Sequence, residues 1–257
     1  MNYRIITYEE KYRDDLIFMV LEAKNALGKV PSINPDLLSI QQTYFDKGDM
    51  FWLAVDENDR VIGSIGYSSI ENSNDVWLHR LYIKCNLKRQ GLGSALLKFA
   101  EDYLVSIGKE TVHVHLGDEK FFESKQFYPK YGYEYYAPRY MKKRLIPDYS
   151  EIVGKCVNGI IDRPIGRRHP DYPDIVYTVN YGCIPEISGG DGEAQDLYLL
   201  GVNVPVSRFQ GKVIAVYHRF DDNEDKWIVA DNNDFTDNEI LSAINFQEKY
   251  FKGRLYR

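Results

Sequence analysis

A strand that passes through a basic, glycine-containing turn into a long helix is the feature that most constrains this chain. The segment is LYIKCNLKRQGLGSALLKFAEDYL, from Leu81 to Leu104. Apolar residues recur at helical spacing after the turn, and Gly108 lies where helices commonly end in glycine. A strand and a helix joined this closely pack as layers, so the segment predicts an α/β fold.

The flanking sequence extends the same layered pattern over the first half of the chain. Strands are predicted at YRIITY, in the FWLAVDENDRVIGSIGYSSI hairpin, and at VWLHRLYIK, TVHVHLG and YEYYAP. Helices are predicted at EEKYRDDLIFMVLEAKNAL, at INPDLLSIQQTYF, where Pro35 is near the start, and in GLGSALLKFAEDYLVSIG. A further short helix is predicted before YEYYAP. We therefore expect a mixed central sheet flanked by helices.

The pattern changes after RLIPDYSEI. Short β-rich runs follow, namely VNGIIDRP, DIVYTVNYG, DLYLLGV, GKVIAVYHRF and KWIVAD, and only NEILSAINFQEKYF is typical of a helix. Many short strands at this spacing favour a small, mainly β, OB-like barrel with one packed helix. A chain of 257 residues can hold two ordinary domains. We place their boundary near Pro147, which gives domains 1–146 and 147–257.

Composition excludes several classes of protein. The net charge of -6 gives no support to a nucleic-acid-binding surface. The three cysteines are odd in number and widely spaced, which argues against a disulfide framework and a zinc knuckle. There is no secretory leader pattern and no apolar stretch of membrane length. We expect a cytoplasmic protein without a membrane partner, and a homo-oligomer is compatible with the sequence.

The turn before the central helix is a candidate anion site. The first turn of a helix has unpaired backbone N–H groups and a partial positive charge. Gly91 and Gly93 carry no side chain that would keep a pyrophosphate from this backbone, and Lys88 and Arg89 add positive charge. The alternative is that the glycines only allow the strand and the helix to pack closely.

In this context the segment resembles the acyl-CoA motif of the GNAT acetyltransferases, and the order of elements over residues 1–146 is similar to that family. The resemblance implies acetyl transfer from acetyl-CoA to a small-molecule amine acceptor. It implies that the strand residues Leu81 and Ile83 hydrogen-bond the pantetheine arm. It also implies that the turn binds the CoA pyrophosphate through Lys88, Arg89, Gln90, Gly91, Leu92, Gly93 and Ser94. Lys88 departs from the family's usual Arg or Gln, and offers charge without a bidentate fork.

A second GNAT-like motif lies in FFESKQFYPKYGYEYY. The resemblance implies that Tyr128 protonates the departing thiolate as a general acid. The alternative is a packing aromatic, and the neighbouring Pro129 is unusual at its position. A general base is not evident, although Glu71 lies between the central strands. His113 and His115 share one face of a strand, but a third metal ligand is missing, so a structural role is favoured.

Two acidic turns stand out in the second half. GGDGEAQD contains Asp191, Glu193 and Asp196, and FDDNEDK contains Asp221 and Asp225. The sequence between them can form two strands that bring both turns to one end of a barrel. Carboxylate oxygens are ligands that Mg²⁺ prefers, and such an ion removes their mutual repulsion. The alternative is two solvated acidic loops.

These turns, with IVYTVNYGCI before them and NFQEKYFKG after them, resemble the family I inorganic pyrophosphatases over residues 150–257. The resemblance implies Mg²⁺ ligands at Asp191, Asp196, Asp221 and Asp225. It also implies that Glu193 orients or deprotonates the attacking water. Phosphate-binding groups are expected at Arg163, Arg167, Tyr181, Lys226 and Tyr250.

Three lysines of that family are replaced by Asn158, Trp227 and Phe251 in an ungapped comparison. Lys226 is one residue from the expected position, and in a strand a one-residue shift turns a side chain to the other face. Two hypotheses therefore stand. The first is a bifunctional enzyme that also hydrolyses pyrophosphate or a related phosphoanhydride. The second is an acetyltransferase with a non-catalytic, phosphate-ligand-binding regulatory module; a dimerisation barrel is a third alternative.

Overall fold

The computed structural model describes residues 2–117, 122–231 and 235–257. It divides into two compact units, Met1–Ile146 and Pro147–Arg257. Each unit has hydrophobic clusters of its own, so each is described separately. Among the described residues, no helix is both long enough and apolar enough to cross a membrane.

The first unit is built on a seven-stranded sheet in the order β1-β2-β3-β4-β5-β7-β6. Its strands are β1 Tyr3–Thr7, β2 Phe51–Asp56, β3 Val61–Ser69, β4 Val76–Ile83, β5 Thr111–His115, β6 Glu134–Ala137 and β7 Tyr140–Arg144. Within the described part of this unit, only β4 and β5 pair in parallel; the other neighbouring strands are antiparallel. The sheet is therefore mixed, as predicted.

Helices cover both faces of this sheet. They are α1 Arg13–Ala26, α2 Ile40–Thr43, α3 Leu92–Ser106 and α4 Phe122–Phe127. Strand β2 contributes to a hydrophobic cluster on each face of the sheet. Trp52 and Ala54 pack in the cluster that contains α3, whereas Phe51 and Leu53 pack in the cluster that contains α1. Alternate residues of one strand thus belong to two cores.

The predicted helix INPDLLSIQQTYF is not continuous. A 3-10 turn at Pro35–Leu38 is followed by the short α2, and Ser39 between them has φ −147° and ψ 59°. These angles are not helical, so the backbone direction changes there. Strand β7 was not predicted, because MKKR has little apolar content. Arg139, at φ 65°, makes the turn between β6 and β7.

Strands β4 and β5 separate after a short parallel ladder. Their pairs run from Val76–Val112 to Leu78–Val114, although β4 continues to Ile83. Beyond this ladder the β3–β4 register shifts, and Arg80 has a left-handed φ of 55°. A bulky residue at positive φ is strained, which is a common feature of functional sites. Among the described residues the ladder with β5 ends at Leu78, so the rest of β4, up to Ile83, extends beyond its pairing with β5; this open side of β4 is called the gap between β4 and β5.

The second unit is a closed five-stranded barrel with one helix. Its elements are β8 Cys156–Arg163, β9 Asn180–Ser188, β10 Ala194–Leu199, β11 Arg208–Arg219, β12 Lys226–Ala230, α5 Asp237–Glu248 and β13 Gly253–Tyr256. The order β12-β10-β9-β8-β11 closes through a β11–β12 pairing, and β13 adds to β11. This arrangement is compatible with the predicted OB-like barrel.

Close packing in the barrel explains two features of the sequence. A Cβ at Gly182 would lie 1.9 Å from the Ile160 carbonyl oxygen, so the tyrosine–glycine pair in NYG permits β8 and β9 to approach. Helix α5 begins with a capping box between Thr236 and Glu239. Its residues Ile240 and Ile244 are buried in the barrel's cluster. The predicted packed helix is therefore present.

Candidate functional site

A cleft of about 450 Å³ opens in the first unit where β4 and β5 separate. It brings together most of the predicted cofactor residues, which are Leu81, Ile83, Lys88, Arg89, Gly91, Gly93 and Ser94, and also the predicted acid Tyr128. Two predicted residues do not line it. Leu92 is buried in the hydrophobic core, and Gln90 is exposed and donates to the Asn86 carbonyl.

The turn into α3 presents backbone to this cleft. Arg89 and Gly91 both have left-handed φ, 62° and 86°, and Gly91 is the N-cap of α3. The Ala95 amide and the Ser94 hydroxyl both bond the Gly91 carbonyl, at 3.0 and 2.7 Å. The N–H groups of the first turn have no partner within the helix, so this end is suited to an anion.

Tyr128 lies on the wall of the cleft, between Phe127 and Tyr133. Only 8% of the residue is exposed, and burial raises the pKa of its phenol above the ordinary value. The hydroxyl therefore keeps its proton at neutral pH. A side chain that keeps its proton until a stronger base forms nearby can act as a general acid, so Tyr128 is compatible with this role.

The other residues considered from the sequence lie elsewhere. Glu71 is in the exposed turn between β3 and β4, and does not line the cleft. Nε2 of His113 is 3.2 Å from Oδ2 of Asp75, and its Nδ1 is 3.2 Å from the Tyr136 hydroxyl. His115 is exposed. The described residues include no group of three histidine, cysteine or acidic side chains placed to hold a metal ion.

An ion pair beside the cleft was not predicted. Arg80 donates to both carboxylate oxygens of Asp36, with distances of 2.8 and 2.7 Å, and the Tyr44 hydroxyl donates to the same carboxylate at 2.6 Å. This network joins the segment between α1 and α2 to the strained part of β4. Its partners are 44 residues apart in the sequence, and no local motif marks such a pair.

The fold and the cleft agree with the comparisons to known proteins. Residues 19–133 match the model of the acetyltransferase (GNAT) family. They form a GNAT acetyltransferase domain. No curated protein matches the chain.

Solved structures give a consistent result for the fold. A GNAT-family acetyltransferase from Staphylococcus aureus Mu50 is 22% identical, covers 56% of this chain and 100% of its own, and has a TM-score of 0.51. An acetyltransferase from Streptococcus agalactiae 2603 is 21% identical, covers 55% of this chain and 98% of its own, and has a TM-score of 0.49. The Staphylococcus aureus structure supports the GNAT fold of the first unit, and it gives no support to the pyrophosphatase resemblance of the second.

In the second unit, the two acidic turns lie against each other. A Cβ on Gly190 would be 1.9 Å from the carbonyl oxygen of Asn223, so the first turn touches the backbone of the second. The Asp191 carboxylate accepts from the Glu193 amide at 2.9 Å, which shapes the first turn. The Glu193 residue is exposed. The barrel thus brings both turns to one end.

Lys226 lies between carboxylates from both turns. Its ammonium donates to Asp196 and to Glu224, and the Tyr181 hydroxyl also donates to Asp196. Lys226 is 1% exposed. The one-residue shift that we expected to turn Lys226 away therefore does not do so. Asp196 and Lys226 occupy matching positions on the parallel strands β10 and β12, and both face Tyr181.

The predicted magnesium ligands are not gathered in one place. Asp225 faces the other side of β12, where it bonds His218 at 2.7 Å and Tyr149 at 2.6 Å. Asp221 accepts from the Lys252 amide at 3.0 Å. Strand alternation separates Asp225 from Asp196, and the Lys226 ammonium already neutralises Asp196. The described carboxylates therefore do not fit the predicted Mg²⁺ site.

The predicted phosphate-binding residues are only partly gathered. Arg163 donates to the Tyr177 hydroxyl at 2.9 Å, and its guanidinium is 5.2 Å from the centre of the Tyr181 ring. Arg163, Tyr181 and Lys226 thus form one continuous cluster with Asp196. Arg167 instead donates to the Asp162 carbonyl, and Tyr250 is 61% exposed at the end of α5.

Proposed function

We propose that the GNAT domain transfers an acetyl group from acetyl-CoA to a small-molecule amine. The observation that carries this proposal is the cleft itself. It joins the gap between β4 and β5 to the amide-rich start of α3, where Lys88 and Arg89 add positive charge. An extended thioester arm fits such a gap, and its pyrophosphate fits a helix start.

In this proposal each residue has a defined task. Amides at the start of α3 hold the pyrophosphate, and the backbone of Leu81 and Ile83 aligns the arm in the gap between the strands. The acceptor nitrogen attacks the thioester carbonyl and gives up a proton to water, and the carbon–sulfur bond breaks. Tyr128 then gives its proton to the thiolate. Holding both reactants in one cleft lowers the entropic part of the activation barrier.

Binding of CoA tests the proposal without an acceptor. CoA should raise the melting temperature of the first unit by mass action. The double substitution Gly91→Val and Gly93→Val should abolish the shift, because side chains would block the turn. Gly48→Val is the matched control, since Gly48 also has a left-handed φ, of 80°, and does not line the cleft. A full shift in the folded double variant would refute the site.

For the second unit, we propose the non-catalytic alternative, a module that binds a phosphate-containing ligand. Its support is Lys226, which neutralises Asp196 and Glu224 internally, and Arg163, whose planar guanidinium suits phosphate. Side-chain exposure of Arg163 is 29%, so its donors remain within reach of a ligand.

Pyrophosphate titration distinguishes this module from a hydrolase. Pyrophosphate should bind without divalent metal, and Arg163→Ala should weaken binding. Arg208→Ala is a control, because Arg208 is exposed on β11. Release of phosphate in the presence of Mg²⁺, lost on Glu193→Gln, would instead support the bifunctional enzyme.

A further inference from the structure

The lysine expected to meet the CoA pyrophosphate already has an anionic partner. Nζ of Lys88 lies 2.7 Å from a carboxylate oxygen of Glu123, the second residue of α4. The two side chains are 27% and 41% exposed. Both residues line the GNAT cleft, Lys88 from the turn before α3 and Glu123 from α4.

We propose that Glu123 competes with the pyrophosphate of CoA for Lys88, and so sets the affinity for the nucleotide half of the ligand. This inference rests on the proposed function of the cleft. Without ligand, the Glu123 carboxylate satisfies the partly buried ammonium. When CoA enters, its pyrophosphate takes the Lys88 contact and Glu123 moves away from the cation.

Charge explains why the competition matters. The pyrophosphate is an anion, and the Glu123 carboxylate places a like charge in the same cleft. A part-exposed ion pair contributes little to stability, so a ligand that also uses the backbone of α3 can displace it. The proposed position of the pantetheine arm of CoA, beside Leu81 and Ile83, does not include a contact with Lys88. Glu123 therefore does not affect the contacts of this arm. Glu123 therefore acts selectively on the phosphate-bearing part.

The substitution Glu123→Gln removes the competing charge and keeps the side-chain size. CoA affinity, measured by calorimetry, should increase about two- to fivefold. Pantetheine, which has no pyrophosphate, should bind both proteins equally. CoA binding by the variant should also fall more steeply with added salt, because its site carries one more net positive charge.

A matched control removes the same charge outside the cleft. Asp102→Asn breaks the exposed pair between Lys98 and Asp102 on α3, and neither residue lines the cleft. This variant should bind CoA like the wild-type protein. In a Lys88→Gln background, Glu123→Gln should give a smaller gain, because it then removes only the direct repulsion between Glu123 and the pyrophosphate and no longer the competition for a cation.

The possible results separate the two proposals. Unchanged CoA affinity in Glu123→Gln would overturn the role of Glu123, as would an equal gain for CoA and pantetheine. A gain that is equally large in the Lys88→Gln background would also overturn it. If the wild-type protein does not bind CoA at all, the proposed function fails first, and the inference fails with it.

Discussion

At the residue scale, Asp36 links the segment between α1 and α2 to the strained part of β4. Its side chain is 13% exposed, and it accepts hydrogen bonds from Arg80 and Tyr44. Burial by itself would raise its pKa, but these hydrogen bonds outweigh burial and hold the pKa below its usual value. The charged form of Asp36 therefore stabilises the fold.

Asp36→Asn should lower the free energy of unfolding by about 1–3 kcal/mol at neutral pH, because the Arg80 guanidinium loses its charged partner. The depressed pKa means that this stabilisation is present above the unfolded-state value and is lost as pH falls through the folded-state value. The difference between the two proteins should thus shrink below about pH 4. Urea unfolding at several pH values measures it. A constant difference across this range would contradict the assignment.

In the second unit, Lys226 is likewise a buried charged residue that pairs with carboxylates. Lys226→Met should destabilise the barrel by about 2–4 kcal/mol, because Asp196 and Glu224 would lose their shared cation. Lys249→Met, at the exposed residue that follows α5, should change stability by less than about 0.5 kcal/mol. The unfolding midpoints of both variants in urea give the comparison. Equal midpoints would show that the internal cation does not support the barrel.

At the element scale, turns decide where the candidate groups meet. The α3 turn places an amide-rich helix start at the gap between β4 and β5, and the acidic turns of the barrel touch through Gly190 and Asn223. In both cases glycine permits a backbone conformation or a contact that a side chain would prevent. The elements beside these turns supply rigidity, and the turns supply the polar groups.

Gly190→Ala tests the contact between the acidic turns. The added methyl group has no room beside the Asn223 carbonyl, so a loss of about 1–3 kcal/mol is expected. Gly192→Ala is the control, because Gly192 has open space around its Cβ and only the cost of its left-handed φ, 89°. That cost is about 1 kcal/mol. A smaller loss at Gly190 than at Gly192, measured by thermal unfolding, would exclude the close contact.

At the scale of the whole molecule, two units with separate cores are expected to unfold in two transitions. CoA should raise the transition of the GNAT domain more than the other, because only the GNAT cleft is proposed to hold the whole ligand, whereas the barrel is proposed to hold a phosphate group alone. Differential scanning calorimetry with and without CoA measures both transitions at once, and inorganic pyrophosphate shows how far a phosphate group alone shifts the second. A single transition that shifts as a whole would show that the units unfold together.

Much of the architecture could be predicted because hydrophobic periodicity is local. Helix α3, the β2–β3 hairpin and the packed helix α5 all follow patterns that lie within one segment. Strands β7 and β13 were missed, since they are short and polar and gain their pairing from neighbouring strands. The predicted helix over residues 33–45 was wrong in its middle, where the conformation of Ser39 interrupts it.

The sequence alone determined the mixed α/β sheet of the first unit, the glycine turn into α3 and the β-rich character of the second unit. These features depend on residue spacing and on backbone conformations that few residues other than glycine adopt readily. Only the tertiary structure decided which charges meet. It paired Lys88 with Glu123, Arg80 with Asp36 and Lys226 with Asp196, and it turned Asp225 away from Asp196. Such contacts depend on strand register and on distances between elements, which local patterns do not encode.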